Sequence, residues 1–305
     1  MTTSLHATLP ARLRARLRQP EPLIAPGAFE CITARLAEQA GFECVYMTGA
    51  GTSATAGFPD YGLLTMTEMA ANVSRMASSI SVPLIVDGDA GYGNELNVFR
   101  TVREFERAGA AGLHIEDQEA PKRCGHLEGK EVIPVEAYQA KIRAAVDART
   151  DPDFLIIART DARAVTGYQD AIARARAAID AGADMAFVEA LQTKEEVLSA
   201  PSDVGAPCLL NIVYGGKTPP MTAAEICQAG YNIAILPGLL LSTTIKACDE
   251  VLAVVRGGVL YPPSLADMQP TAIFGRVGAA EWDVRRTRYI RPGEAWPRKK
   301  GAAAE

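Results

Sequence analysis

Eight short, continuously apolar runs recur along the chain, most of them followed by a stretch with helical periodicity. The runs are PLIAPGAF (22–29), CVYMTGA (44–50), PLIVDGDA (83–90), GLHIED (112–117), FLIIART (154–160), MAFVEA (185–190), CLLNIVYG (208–215) and IAILPG (233–238). A strand with one wet face alternates apolar and polar residues; a strand buried on both faces of a parallel sheet does not. Parallel neighbours also need a crossover between them. Segments such as ECITARLAEQAG, ELNVFRTVREFERAG, PVEAYQAKIRAAVDAR and GYQDAIARARAAIDAG supply it, with apolar residues at a 3.6-residue period. Several end in Ala-Gly, where the glycine suits a left-handed helix cap. Eight such units predict an α/β fold of the (β/α)8, TIM-barrel type. The alternative is a doubly wound open sheet, but no phosphate-binding glycine fingerprint follows the first run.

The barrel is expected to occupy residues 1–260, including a short N-terminal helix over 9–17, where leucines recur every four residues. The arginine-rich, acid-free first twenty residues also resemble, weakly, an organellar transit peptide. Residues 261–290 read as a helical extension that the barrel does not need. Ile273, Phe274, Val277 and Trp282 give this extension an apolar face suited to docking across a subunit boundary. Residues 291–305 lack periodicity and read as a flexible tail. The net charge of −5 offers no basic surface for nucleic acid, and no apolar run approaches the ~20 residues of a membrane span. The six cysteines show no paired spacing, which fits reduced thiols in a cytoplasmic enzyme.

Charged and amide residues cluster where the strands end. Asp87 and Asp89 close the third run, Glu116 the fourth, Arg159 the fifth, Glu189 the sixth, and Asn211 lies in the seventh. Barrel active sites are built at that rim, and buried carboxylates need partners, so the set points to chemistry rather than packing. Asp87, Asp89 and Glu116 offer hard oxygen ligands, which favours Mg²⁺ or Mn²⁺ over zinc. The competing arrangement is a carboxylate network neutralised by Arg159.

Between the fourth run and its helix lies QEAPKRCGHLEGKEVI (118–133), longer than a usual βα loop and aperiodic, as a lid is. It carries Lys122, Arg123, Cys124 and His126. A thiol beside two cations and a histidine is expected to have a lowered pKa. An inert cysteine on a basic loop is the alternative.

VDGDAGYG, GLHIEDQ, PKRCGH, IIARTDA and NIVYGGKTP, in this order and spacing, resemble the isocitrate lyase/phosphoenolpyruvate mutase superfamily over residues 23–289. The KRCGH lid marks its carbon–carbon lyases, and phosphonate mutases carry a cysteine-free lid. The longer insertions of isocitrate lyases are absent, so the likeness is to the 2-methylisocitrate lyase and 2,3-dimethylmalate lyase branch. The resemblance implies that Asp89 contacts Mg²⁺, with Asp87, Glu116 and Asp60 reaching it directly or through water. It makes Cys124 the general acid, with Lys122 and His126 beside it. Arg159 and Asn211 bind the substrate, Glu189 orients Arg159 or the substrate, and Gly125 joins the substrate-binding set. Thr48, Gly49 and Ala50 match a Ser-Gly-Gly whose backbone N–H groups bind a 2-oxo acid carboxylate. Two positions depart from the family pattern: Ala50 replaces a glycine, and Tyr214 replaces a glutamate usual in 2-methylisocitrate lyases.

The resemblance further implies a Mg²⁺-dependent retro-aldol cleavage of a 2-hydroxy di- or tricarboxylate, giving a 2-oxo acid and a second carboxylic acid. The expected assembly is a homotetramer, a dimer of dimers with exchanged helices. Tyr214 is expected to give the pocket an apolar wall that selects a 2-alkylmalate-like acid, unless its ring merely packs on the lid. An oxaloacetate hydrolase or decarboxylase on the same barrel, and a non-catalytic metabolite-binding barrel, are the alternatives. Loss of some metal or lid residues would mark the latter, and none is lost.

Overall fold

The structure is a computed structural model and describes residues 7–290. The tail read at 291–305 lies outside the described residues. Eight strands follow one another round a closed parallel barrel: β1 (Leu23–Ala28), β2 (Val45–Met47), β3 (Leu84–Asp87), β4 (Gly112–Glu116), β5 (Leu155–Thr160), β6 (Met185–Val188), β7 (Cys208–Asn211) and β8 (Ile233–Leu236). Pairing of β1 with β8, Leu23 opposite Ile233, completes the ring and sets aside the open sheet. A helix α1 (Leu9–Arg16) precedes the barrel. The crossovers are α2 (Cys31–Gln39), α3 (Gly49–Thr55) with α4 (Met66–Ser79), α5 (Glu95–Arg107), α6 (Val135–Ala148), α7 (Tyr168–Asp180), α8 (Lys194–Val204) and α9 (Ala223–Ala229), and α10 (Leu239–Arg256) follows β8. The Ala-Gly endings act as stops: after α5 and α7 the chain turns through Gly109 and Gly182, at φ +102° and +105°.

The period of two along each strand decides what the barrel encloses. Ile85, Leu155, Ile157, Met185, Phe187 and Leu209 belong to the inner core, with Leu13 of α1 closing its N-terminal end. Leu84, Val86, Leu113, Ile115, Ile156 and Ala158 pack outward against helices. Stepping up each strand by two from the inner residues reaches Asp87, Arg159, Glu189 and Asn211. The polar rim residues therefore continue the inward-facing rows, and the same alternation that fills the core aims them at one place.

Two compact units divide the chain, one ending at Glu250 and the other starting at Val251. The first ends earlier than residue 260 because helical periodicity runs on unbroken to Arg256 and does not show where packing stops. The second holds the end of α10, then α11 (Pro270–Arg276) and α12 (Ala279–Ile290), none with a buried residue. Ile273, Phe274, Val277 and Trp282 are all exposed. Among the described residues no helix is long and apolar enough to cross a membrane.

Candidate active site

At the carboxyl ends of the strands a cavity of about 130 Å³ is lined by Tyr46, Thr48, Ala50, Asp60, Asp87, Cys124, Gly125, His126, Arg159, Glu189, Asn211, Val213, Pro237, Gly238 and Leu241. Ten of the fifteen residues singled out from sequence line it. Gly49, Asp89, Glu116 and Lys122 are buried within or beneath its wall. Tyr214 is the exception: it is fully exposed and lines an adjoining apolar cavity of about 550 Å³. The reason is local, since the chain has left β7 and turned at Gly215, φ +71°. Val213, one residue earlier, lines both cavities, as does Gly238.

Arg159 is the charged centre. Its Nε and Nη2 donate to Asp161 at 2.9 and 3.2 Å, while Nη1 stands 3.2 Å from Glu116 and Nη2 3.6 Å from Glu189. The Phe187 ring packs 5.3 Å from its guanidinium. Glu189 is thus only a distant partner of Arg159; its closer bonds orient Asn211, at 3.0 Å, and His126, at 3.3 Å. His126 Nδ1 accepts the Lys217 backbone N–H at 3.0 Å, and burial lowers its pKa. A neutral ring with Nδ1 accepting must carry its proton on Nε2, so His126 donates to Glu189. Gly216 makes room for this ring, because a Cβ there would lie 2.8 Å from Nδ1.

The Cys124 thiol departs from expectation. Its pKa is raised, chiefly by burial. The cations that flank it in sequence do not serve it in space: Lys122 turns to Asp60 and Asp89, and His126 is neutral. A thiol held protonated suits a proton donor and not a nucleophile.

The Thr48–Ala50 segment starts α3, with Thr48 as its cap. Gly49 N–H donates to Asp87 Oδ2 at 3.2 Å, so this amide is engaged by the protein, not free for a ligand carboxylate. Any Cβ at Gly49 would fall 2.6 Å from the same oxygen.

The four carboxylates read as metal ligands do not form a finished cage; among the described residues no group of three or more His, Cys, Asp or Glu side chains is arranged to hold a metal. Lys122 Nζ stands between Asp60 and Asp89, 2.6 Å from the latter, and Glu116 leans to Arg159. The donor chemistry nevertheless fits a hard divalent cation. Both Glu116 carboxylate oxygens are buried with no hydrogen-bond donor. Burial pushes Glu116 well above the usual carboxylate range and Asp89 up to about 6, so Lys122 and Arg159 leave them short of positive charge. Asp87 is different: burial would raise it, yet surrounding charge holds it well below that range. Burial pushes His114 down to about 4, still above the range in which Asp87 titrates, so His114, Lys122 and Arg159 together lower Asp87.

Sequence reasoning missed the layer beneath. Tyr46 hydroxyl lies 2.8 Å from His114 Nε2 and 3.4 Å from Asp87 Oδ2, with the two rings stacked. The available signal was parity: Tyr46 is two residues below Thr48, and His114 two below Glu116. Lys130 also went unnoticed, although it is buried against Asp161 at 2.7 Å. The lid itself stands on a paired base, with Gln118 bridged to Val132 and Ile133 N–H donating to Asp117 O at 2.9 Å.

Residues 13–256 match the family model described as phosphoenolpyruvate phosphomutase. The chain belongs to this family. A 2,3-dimethylmalate lyase from Eubacterium barkeri is 45% identical over 242 residues, 79% of this chain and 84% of that one. A 2-methylisocitrate lyase from Aeropyrum pernix is 45% identical over 240 residues, covering 79% and 77%. Among solved structures, oxaloacetate acetylhydrolase in complex with 3,3-difluorooxalacetate superposes with a TM-score of 0.89 at 36% identity, covering 94% of this chain and 99% of that one. Phosphonopyruvate hydrolase, solved with oxalate and Mg²⁺, has a TM-score of 0.83 at 31% identity, covering 93% and 100%. The chain is therefore an enzyme of the isocitrate lyase/phosphoenolpyruvate mutase superfamily, with carbon–carbon lyases among its relatives.

Proposed function

We propose that this enzyme cleaves the C2–C3 bond of a 2-hydroxy dicarboxylate with an alkyl-bearing second half, releasing a 2-oxo acid such as pyruvate. The observation that carries this reading is the meeting of a protonated thiol, a guanidinium and a deficit of positive charge around one cavity. Arg159 binds the substrate carboxylate and Asn211 its oxygens. The C2 hydroxyl loses its proton, the C2–C3 electrons pass to the departing acid as an enediolate, and Cys124 protonates that carbon. The hydroxyl proton restores the thiol, so the cycle balances. Asp60, Asp87, Asp89 and Glu116 would hold Mg²⁺ (Mn²⁺ is an equivalent choice). When bound, the ion supplies positive charge beside the oxygens on which negative charge builds. Lid residues 120–130 keep water from the enediolate.

Substrate choice rests on the apolar part of the cavity wall. Ala50, Val213, Pro237 and Leu241 are apolar, and Arg159 is the sole Arg or Lys among the cavity-lining residues. A third carboxylate would have no cation there, so a 2-alkylmalate is favoured over 2-methylisocitrate. The test is pyruvate release with Mg²⁺ from 2,3-dimethylmalate, 2-methylisocitrate and oxaloacetate. The dialkylmalate should give the highest kcat/KM, and a preference for the tricarboxylate would refute the assignment. Oxaloacetate hydrolysis is the second reading, favoured by the likeness to oxaloacetate acetylhydrolase; acetate and oxalate as sole products would establish it.

The enzyme is further proposed to be a cytoplasmic homotetramer. α10 has no buried residue and leaves Leu239, Ile245 and Leu252 exposed. Light scattering should give four subunits, and a monomer at micromolar concentration would refute it.

A further inference from the structure

Lys130 lies beyond the KRCGH motif, yet its side chain is more deeply buried than that of Lys122 within it. It makes two bonds there. One goes to the carbonyl of Gly125, next to Cys124, and the other to Asp161 Oδ1 at 2.7 Å. The same Asp161 holds Arg159 through both of its oxygens. Gly125 in turn sits so close over Arg159 and Glu189 that a Cβ would lie 2.6 Å from Arg159 Nη2. One ammonium thus joins the backbone beside the acid Cys124 to the carboxylate that aims the substrate-binding guanidinium. A buried cation is costly unless fully paired, and opening the lid, to which Gly125 also belongs, would part Lys130 from Asp161 and leave its charge half-satisfied.

We infer that Lys130 is a positioning residue that latches the lid shut and, through Asp161, sets Arg159 only when the lid is shut. The inference rests on the lyase reading for what Arg159 and Cys124 do, but the latch itself acts without substrate. Exposed lid residues such as Lys217's partner Glu128 offer no comparable tie, because that pair lies in water.

The experiment uses ligand-free, full-length Lys130→Ala, with iodoacetamide alkylation of Cys124 followed by peptide mass spectrometry. Cys124 should be alkylated at least ~10-fold faster than in wild type, and ethylammonium, which replaces the missing ammonium, should slow it again. In turnover, kcat should fall by ~10²-fold with KM changed less than ~3-fold, and ethylammonium should restore kcat in parallel. A merely structural lysine would give no amine-dependent recovery. Lys130→Met, which keeps the buried stem and removes only the charge, should show the faster alkylation without rescue, and serves if the alanine variant does not fold. Unchanged alkylation in the methionine variant, or an alanine variant that ethylammonium fails to restore in either measurement, overturns the latch. Because alkylation needs no substrate, an incorrect substrate assignment leaves this result interpretable.

Discussion

Gly125→Ala tests how tightly the lid must fit. The added Cβ would stand 2.6 Å from Arg159 Nη2, 2.6 Å from Glu189 Cγ and 2.8 Å from Glu189 Cδ. Non-bonded heavy atoms settle near ~3.5 Å, so about 0.9 Å of displacement is needed. Arg159 is fixed by Asp161 and Glu116, and Glu189 by Asn211 and the Ala190 N–H. The lid is therefore what moves, carrying Cys124 from its target. A shift on the order of 1 Å can cost about 10²-fold in rate, equivalent to about 2.7 kcal/mol of barrier. The backbone at Gly125 does not adopt positive φ, so the substitution brings steric conflict without conformational strain. Stability should change by no more than about 1 kcal/mol, because the lid adds little to the core. The assay is kcat by coupled pyruvate detection alongside Tm. A kcat within about 3-fold of wild type would refute the close packing, and a collapse of Tm would refute the claim that only the lid yields.

Cys124→Ser should lower kcat by about 10²-fold or more with the fold intact, since a hydroxyl is a far weaker acid; near-wild-type kcat would remove the thiol from the mechanism. EDTA should abolish activity and Mg²⁺ or Mn²⁺ restore it. Mg²⁺ should also raise Tm, an effect read without turnover, by relieving the buried excess of negative charge. Asp117, accepting from Thr160, Asp161 N–H and Arg174, is raised to about 6 mainly by burial. A raised carboxylate pKa means stability present below the unfolded value of 3.8 is lost as pH rises through about 6, by about 3 kcal/mol at most. Asp117→Asn should flatten Tm between pH 4 and 7 relative to wild type, and parallel profiles would refute the assignment. Tyr214→Glu should leave the ratio of kcat/KM between 2,3-dimethylmalate and 2-methylisocitrate unchanged, because the exposed ring is not among the residues lining the catalytic cavity; a shift towards the tricarboxylate would show that it turns inward.

The barrel was legible because burial on both faces leaves a crude signature, an apolar run such as FLIIART that owes nothing to distant residues. The rim was legible for the opposite reason: Arg159 and Glu189 interrupt runs that packing alone would keep apolar. Pairings across the fold were not. Nothing local joins Lys130 to Asp161, or His114 to Tyr46 sixty-eight positions away. The lowered thiol pKa expected from KRCGH failed because neighbours in sequence need not be neighbours in field. Lys122 directs its charge to Asp60 and Asp89, and desolvation governs Cys124. Tyr214 failed similarly: parity along β7 places Asn211 and then Val213 at the cavity, and the turn at Gly215 takes the next side chain elsewhere.

The paired base of the lid has a thermodynamic consequence. Sixteen residues span 118–133, but Glu119 N–H donates to Glu131 O at 2.9 Å, next to the Gln118–Val132 bridge, so both limbs of the stem are already ordered. Only the flap between them has to open and close, with Lys130 tying it to Asp161 when shut. Each residue fixed costs about 1–2 kcal/mol of backbone entropy, and the stem settles part of that cost when the chain folds, leaving less to be drawn from the binding of a small acid. A dicarboxylate has few contacts to offer, and a short hinged flap is a lever that so small a ligand can work.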